Sequence, residues 1–426
     1  GLSDLIATYA TLLLGFSTLC IADAIFVFTK GGKTESIQRN FSSSLVLAAL
    51  LLSVWFIIFF AIDCICGYTC IRNSFSENIW YIYFMIVSTF VQQYFHNLIL
   101  GFGYIKLFSS TGIVLTLTTF CFSYSLIPTL GVKGYILSIV FANLITVLYT
   151  IIFSKAYRCF SFHSIDIESI KNILKYSIPL IPNSIVWWLV SALNRPVMEH
   201  YLSYDAIGIY SLANRFPSVI TMLFGIFAMS WNISIFEEYK KEGFEKFYKD
   251  IFKIMFICIS ICSLFVILFS DVIVSIFAPA EFQAASDYMK IMIVATVLSC
   301  ISSFCGGIFS VVKQSKYFFY SSVFGALTAI ALNFVLIPIF GLWGSVGSVF
   351  ISFGVIAFSR YRFSKQFVRI SLSRSCILYI ALLMADAISS ILLKNFCFNL
   401  LIGLLLSAIL VFVERDMMSK VLGMVS

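Results

Sequence analysis

The sequence predicts an all-α fold, a polytopic bundle of transmembrane helices. Three observations predict it. Of the 426 residues, 61% are hydrophobic and only 11% are charged, against about 25% charged in a soluble globular protein. So little polar surface cannot cover a particle in water. The apolar residues fall into about thirteen continuous runs, most of them near the ~20 residues needed to cross the ~30 Å hydrocarbon core. None of the runs shows the alternation of a barrel strand. Each must therefore be a helix, which satisfies its own backbone groups in lipid.

In chain order the runs cover 4–28, 43–63, 78–100, 108–128, 133–154, 178–202, 205–236, 251–271, 288–312, 317–338, 344–360, 375–393 and 397–413. GVKG (131–134) and GLWG (341–344) are short glycine turns joining successive runs. EEYKKEGFEKFYKD (237–250) mixes charges with Phe and Tyr and reads as an amphipathic surface helix linking two spans. Lys290, near the end of its run, is expected to snorkel to the interface. The basic stretch 360–374 reads as a cytoplasmic loop that sets topology.

Twenty-two basic residues fall on one set of alternate loops and only Arg72, Lys133 and Lys394 on the other. The positive-inside rule makes the first set cytoplasmic. The net charge of +8 is thus a record of topology, and no nucleic-acid partner is expected. Residue 1 then lies outside and the C-terminus in the cytoplasm, so a further helix is expected before Gly1.

An internal repeat leads to the same expectation. LIPTLGVKGYILS (126–138) and LIPIFGLWGSVGS (336–348) share Leu, Ile, Pro, two Gly and Ser at an offset of 210. Six spans separate the copies, so they share one orientation, a parallel repeat. The expected organisation is an N-terminal lobe at 1–154, a cytoplasmic linker at 155–177, a C-terminal lobe at 178–360, and a loop with two extra helices at 361–426.

Candidate functional residues are the polar groups that lipid disfavours. Arg195 and Arg215 each sit inside an apolar run, where a charge costs at least ~2.5–3.5 kcal/mol and normally faces a bundle interior or wet cavity. Their guanidinium forks suit phosphate oxygens, although Glu199 stands four residues from Arg195 and could neutralise it. Asn183, Asn194 and Asn214 are expected on the same surface, or as hydrogen-bonding glue between helices. Asp23, Gln92, Gln93 and His96 are candidates for ion coupling or a polar cavity, with Asn97 beside them and Asp386 a weaker candidate.

No P-loop, HExxH or GxSxG element occurs, and the longest loop, 155–177, is too short for a catalytic domain. No enzymatic activity and no bound cofactor are expected. The twelve cysteines lie mostly in apolar runs, where Cys behaves as a small hydrophobe. Cys64, Cys66 and Cys70 have no nearby His, so no metal site is expected.

The stretch YSIPLIPNSIVWWLVSALNRPVMEHYLSYDAIGIYSLANRF (176–216) resembles the bacterial polysaccharide-transport, or Wzx-type O-antigen flippase, branch of the MOP exporter superfamily. The features carrying the likeness are IPLIP, the Asn194–Arg195 pair where relatives often have Asp-Arg, GIYSLANRF, GLSDL at Gly1 and the two glycine turns. The resemblance implies a MATE-like two-lobed transporter in the bacterial inner membrane. It implies flipping of undecaprenyl-pyrophosphate-linked oligosaccharide by alternating access, with H+ or Na+ as coupling ion and other polysaccharide-assembly proteins as partners. A lipid II flippase, a drug exporter of the same superfamily and an O-antigen polymerase are the alternatives.

Overall fold

The computed structural model describes residues 1–30, 34–69, 73–239, 241–312, 314–368, 374–393, 403 and 405. Among them all regular structure is helical. Nine helices are long and apolar enough to cross a membrane, ten if one bent pair counts as a single span. Two further expected spans are helical at 79–101 and 374–393; the first is interrupted by Gln92, Gln93, His96 and Asn97. The expected span 397–413 lies outside the described residues apart from Gly403 and Leu405. The chain divides into two compact units, Leu2–Trp188, and Leu189–Ser426 together with Gly1.

The N-terminal unit holds α1 (Leu2–Thr18), α2 (Ile21–Thr29), α3 (Thr34–Thr69), α4 (Ser74–Glu77), α5 (Ile79–Gly101), α6 (Ile105–Leu130), α7 (Val132–Ser154), α8 (Ile167–Ser177) and most of α9 (Ile181–Ser191). The run expected at 4–28 is bent by 54° between α1 and α2. Leu19 and Cys20 make the bend with left-handed φ of 48° and 54°, a conformation unusual for residues with a side chain. At the centre of the unit is α5. Its Tyr94 hydroxyl, buried, hydrogen-bonds Ser44 Oγ at 2.6 Å, and Tyr83 donates to the Leu52 carbonyl at 3.0 Å.

Residues 155–177 pack on α3. The Ser161 and Asp166 amides donate to Ser42 Oγ and Ser43 Oγ at 3.0 and 2.9 Å, and Ile173 is fully buried. Asp166 caps α8, accepting from Ser169 Oγ at 2.9 Å and from the Ser169 and Glu168 amides at 3.0 and 3.2 Å. These bonds, the one from the Ser169 hydroxyl foremost, hold its pKa below the usual carboxylate value. A group whose folded pKa is depressed stabilises the fold above its unfolded value and loses that effect as pH falls through the folded one. Amide protection at 168–170 is therefore expected to drop on acidification below about pH 4, and Asp166→Ala to show low protection at every pH. Hydrogen exchange checks both.

The C-terminal unit holds α10 (Asn194–Tyr201), α11 (Tyr204–Ala213), α12 (Arg215–Glu238), α13 (Phe244–Leu268), α14 (Ser270–Phe277), α15 (Ala285–Val311), α16 (Ser315–Phe340), α17 (Leu342–Ser364) and α18 (Arg374–Leu393). α15 is its buried axis, with Met289, Ile293, Val297, Phe304 and Ile308 at 0% exposure. Phe304 stacks on Trp231 with ring centroids 4.3 Å apart, and Tyr248 meets it edge-on at 5.0 Å.

The repeated motif has the same geometry in both units. Gly131 turns α6 into α7 at φ 57°, ψ −128°, and Gly341 turns α16 into α17 at φ 59°, ψ −129°. Three residues on, Gly134 and Gly344 lie so close to the Leu126 and Leu336 carbonyls that no Cβ fits. Only glycine meets both demands.

Three expectations are corrected. No surface helix forms over 237–250: α12 runs on to Glu238, α13 begins at Phe244, and Phe244 and Tyr248 are buried in the core because their rings bring more apolar area than the nearby charges exclude. Arg360 belongs to α17 rather than to a loop and is 1% exposed. Lys290 does not snorkel. It is 0% exposed, because carboxylates on two helices offer it partners inside the unit.

Candidate functional site

Two prolines shape the region that carries the arginines. Pro196 and Pro217 supply no amide for the carbonyls four residues earlier, at Ala192 and Ala213, and their rings clash with those carbonyls. The helices break there. α9 ends at Ser191 and α10 starts at Asn194; α11 ends at Ala213 and α12 starts at Arg215. In the first break the Arg195 amide takes the Ala192 carbonyl at 3.1 Å; after the second, Ser218 bonds Asn214 at 3.1 Å and the helical pattern resumes. The Asn194–Arg195 pair thus opens a new helix beyond the candidate span Ile167–Ser191, whereas Arg215 stays inside the single candidate span Tyr204–Glu238, as the sequence reading had it.

The two arginines differ. Arg195 is 9% exposed; its guanidinium donates to the Ser191 carbonyl at 3.2 Å and lies over the Tyr210 ring, 5.4 Å from the centroid. Arg215 is exposed on the first turn of α12, next to half-buried Asn214. The Asn183 side chain lies outside the described residues.

Asn194 opens a buried polar seam. Its Nδ2 donates to Ser345 Oγ at 3.1 Å. Along α17, Ser345, Ser348 and Ser352 are fully buried at i, i+3 and i+7, on one face. The antiparallel register of the α16–α17 hairpin, with Gly344 against Leu336 and Gly325 against Ile356, sets Asn333 at the level of Ser348. Asn194 Oδ1, Asn333 Oδ1, Ser348 Oγ and Ser352 Oγ are all buried without a hydrogen-bond partner among the described residues. Burying such an atom without a partner costs about 1–3 kcal/mol. Sequence reading found Asn194 but missed the serines; the signal was their small-residue spacing in LWGSVGSVFISFG.

Arg360 was also missed. Its Nε and Nη2 donate to Ser321 and Ser322 hydroxyls at 3.1 and 3.0 Å, Nη1 donates to the Ser302 carbonyl at 3.2 Å, and the guanidinium lies 4.0 Å from the Phe318 centroid. One turn below, α17 borders an apolar groove of about 730 Å³, lined by Phe324, Phe350, Ile351, Phe358 and Ile380 and reached at one end by exposed Arg362.

In the N-terminal unit Asp23 is exposed on α2. Asn97 Nδ2 donates to the adjacent Ala22 carbonyl at 2.7 Å. His96 turns instead to α6 and stacks on Phe108, centroids 4.0 Å apart at 9°. Gln92 is half-buried and Gln93 exposed. No His, Cys, Asp or Glu grouping suited to a metal ion occurs among the described residues.

A family model described as polysaccharide biosynthesis protein matches residues 1–232, and the MatE model matches 179–335. Among solved structures the chain is similar to a lipid II flippase MurJ in an inward closed conformation, with TM-score 0.70 and 15% identity over 97% of this chain and 94% of that one. It is similar to an inward-facing multidrug resistance MATE family transporter of the MOP superfamily (0.66, 17%, 85% and 87%) and to a MOP superfamily transporter from Pyrococcus furiosus (0.57, 16%, 85% and 86%). No curated protein matches. The fold is that of the MOP-superfamily transporters and flippases, and the molecule is a multi-pass membrane protein. More narrowly, the chain belongs to the polysaccharide biosynthesis protein family.

Proposed function

We propose that this protein flips an undecaprenyl-pyrophosphate-linked oligosaccharide, an O-antigen or capsule repeat unit, from the cytoplasmic to the periplasmic leaflet of the bacterial inner membrane by alternating access. The observation that carries the reading is Arg215: an exposed guanidinium at membrane depth needs water or an anion opposite it, and a lipid pyrophosphate is such an anion. The groove ending at Arg362 supports the same cargo, with an apolar trough for an isoprenoid chain and a cation for its phosphate. Arg195 shapes the site by holding the turn before α10. Asn194 and Asn214 place the two helix starts.

The driving ion, H+ or Na+, belongs to the same proposal. The neutral oxygens of the seam are donors of the kind Na+ accepts, and Asp23 offers a carboxylate to a proton. The C-terminus is cytoplasmic in this reading, and other polysaccharide-assembly proteins receive the product. Arg215→Ala is expected to lower surface glycan about 10- to 100-fold, the loss of one charge-assisted contact, with protein level unchanged. Glycan typing of a complemented deletion strain measures it; normal display would refute the role. Lipid II remains the second cargo, favoured by the fold likeness, and accumulation of lipid II rather than the glycan precursor in the deletion strain would select it.

A further inference from the structure

A second ionic group lies in the C-terminal unit, at the end opposite Arg360, where Tyr288 of α15 packs against Trp343 at the start of α17, ring centroids 4.5 Å apart and planes tilted by 50°. Lys290, 0% exposed, directs its ammonium at Asp271 on α14 (3.2 and 3.3 Å), at Asp287 one turn back on α15 (3.4 Å) and at the Ser390 carbonyl on α18 (3.5 Å). A third carboxylate, Asp386 on α18, is 3% exposed and within electrostatic reach of Lys290. Its backbone carbonyl accepts from Ser389 Oγ at 2.9 Å, and no donor among the described residues reaches its carboxyl.

The titratable groups facing Lys290 are therefore Asp271, Asp287, Asp386 and, beside Asp287, Tyr288. Among the described residues one ammonium meets three carboxylates. Asp271 is half in water, so the buried part of the group, Asp287 and Asp386 against Lys290, would carry an excess of one negative charge when fully ionised, in a medium that penalises it heavily. Uptake of one proton removes that buried excess at least cost. A metal ion is the poorer occupant, because the ammonium already fills the cation position and the carboxylates do not converge as a metal shell.

We propose that Lys290, Asp271, Asp287 and Asp386 form a proton-binding site, with the proton carried on the Asp386 carboxyl. Asp271, whose side chain is 52% exposed, is the port: it joins the buried pair to water, so a proton leaves Asp386 as H+ through that rim and leaves a carboxylate facing the Lys290 ammonium. Because Asp386 and Ser390 both belong to α18, each proton event changes the charge that holds α18 against α14 and α15. The role as the coupling site rests on the transport reading above; the proton binding does not.

Infrared difference spectroscopy of the full-length protein in lipid nanodiscs, stepped from acid to alkaline buffer, tests it. The expected result is loss of one protonated carboxyl stretch per molecule on alkalinisation. That signal is absent in Asp386→Asn and kept in Asp23→Asn and in Lys290→Arg, which retains the cation. Persistence of the full signal in folded Asp386→Asn, checked by its elution as wild type, would overturn the proposal. So would erasure of the signal by Na+ at constant pH, which would make the site a sodium site. Binding of lipid-linked oligosaccharide to the same nanodiscs is read separately. Its failure with the carboxyl signal intact would sink the cargo reading and leave the proton site standing.

Discussion

Lys290→Met is expected to destabilise the C-terminal unit by about 3–5 kcal/mol, the cost of leaving buried carboxylates without their cation. Asp271 contributes little to that figure, since its exposed side chain can take water in place of the ammonium. The cost comes chiefly from Asp287, paired with Lys290 at 3.4 Å and only 19% exposed. Thermal unfolding in detergent should shift downward by on the order of 10 °C. The double variant Lys290→Met/Asp287→Leu should recover part of the loss, because an apolar pair in place of a buried ion pair is often near neutral. A single variant as stable as wild type would show that the ammonium does not hold these helices.

Gly344→Val should cost about 3 kcal/mol or more. Its Cβ would strike the Leu336 carbonyl and the Ile337 amide, which are backbone and cannot swing away. The α16–α17 hairpin would have to open. Gly347, three residues along the same helix, has nothing within 4 Å of its built Cβ, so Gly347→Ala should be neutral or stabilise by about 0.5–1 kcal/mol. Gly134→Val should behave as Gly344→Val does, since the Leu126 carbonyl occupies the same place. Unfolding curves of the three variants separate this steric account from a general intolerance of the hairpins to change.

Much of the fold could be read from composition and run length, because lipid admits few alternatives to a helix. The hairpin turns were legible as well: Gly131 and Gly341 mark positive-φ positions that a sequence displays openly. The breaks beside Pro196 and Pro217 were half legible. The prolines were visible, but whether a helix kinks or restarts depends on what packs around the freed carbonyl. The partners of the buried cations were hidden. Asp271 and Ser390 stand 19 and 100 residues from Lys290, and Ser302, Ser321 and Ser322 stand 58, 39 and 38 residues from Arg360. Helical periodicity links residues three or four apart and is silent on such distances. Apolar flanks fixed membrane depth for Arg195 and Arg215, yet depth does not say which way a side chain turns, and the two turn differently.

The joint at Leu19 and Cys20 holds one further lesson. Left-handed backbone at a residue with a Cβ is roughly 1–2 kcal/mol less favourable than right-handed helix, so the elbow is cocked rather than relaxed. What keeps it cocked is the burial of Ile21, Ala24 and Ile25 in the N-terminal core, with Cys20 Sγ 3.7 Å from Ser184 Oγ and Asn97 gripping the Ala22 carbonyl. Straightening that elbow would return the stored energy, so local backbone preference pulls toward one unbroken rod while the neighbouring helices restrain it.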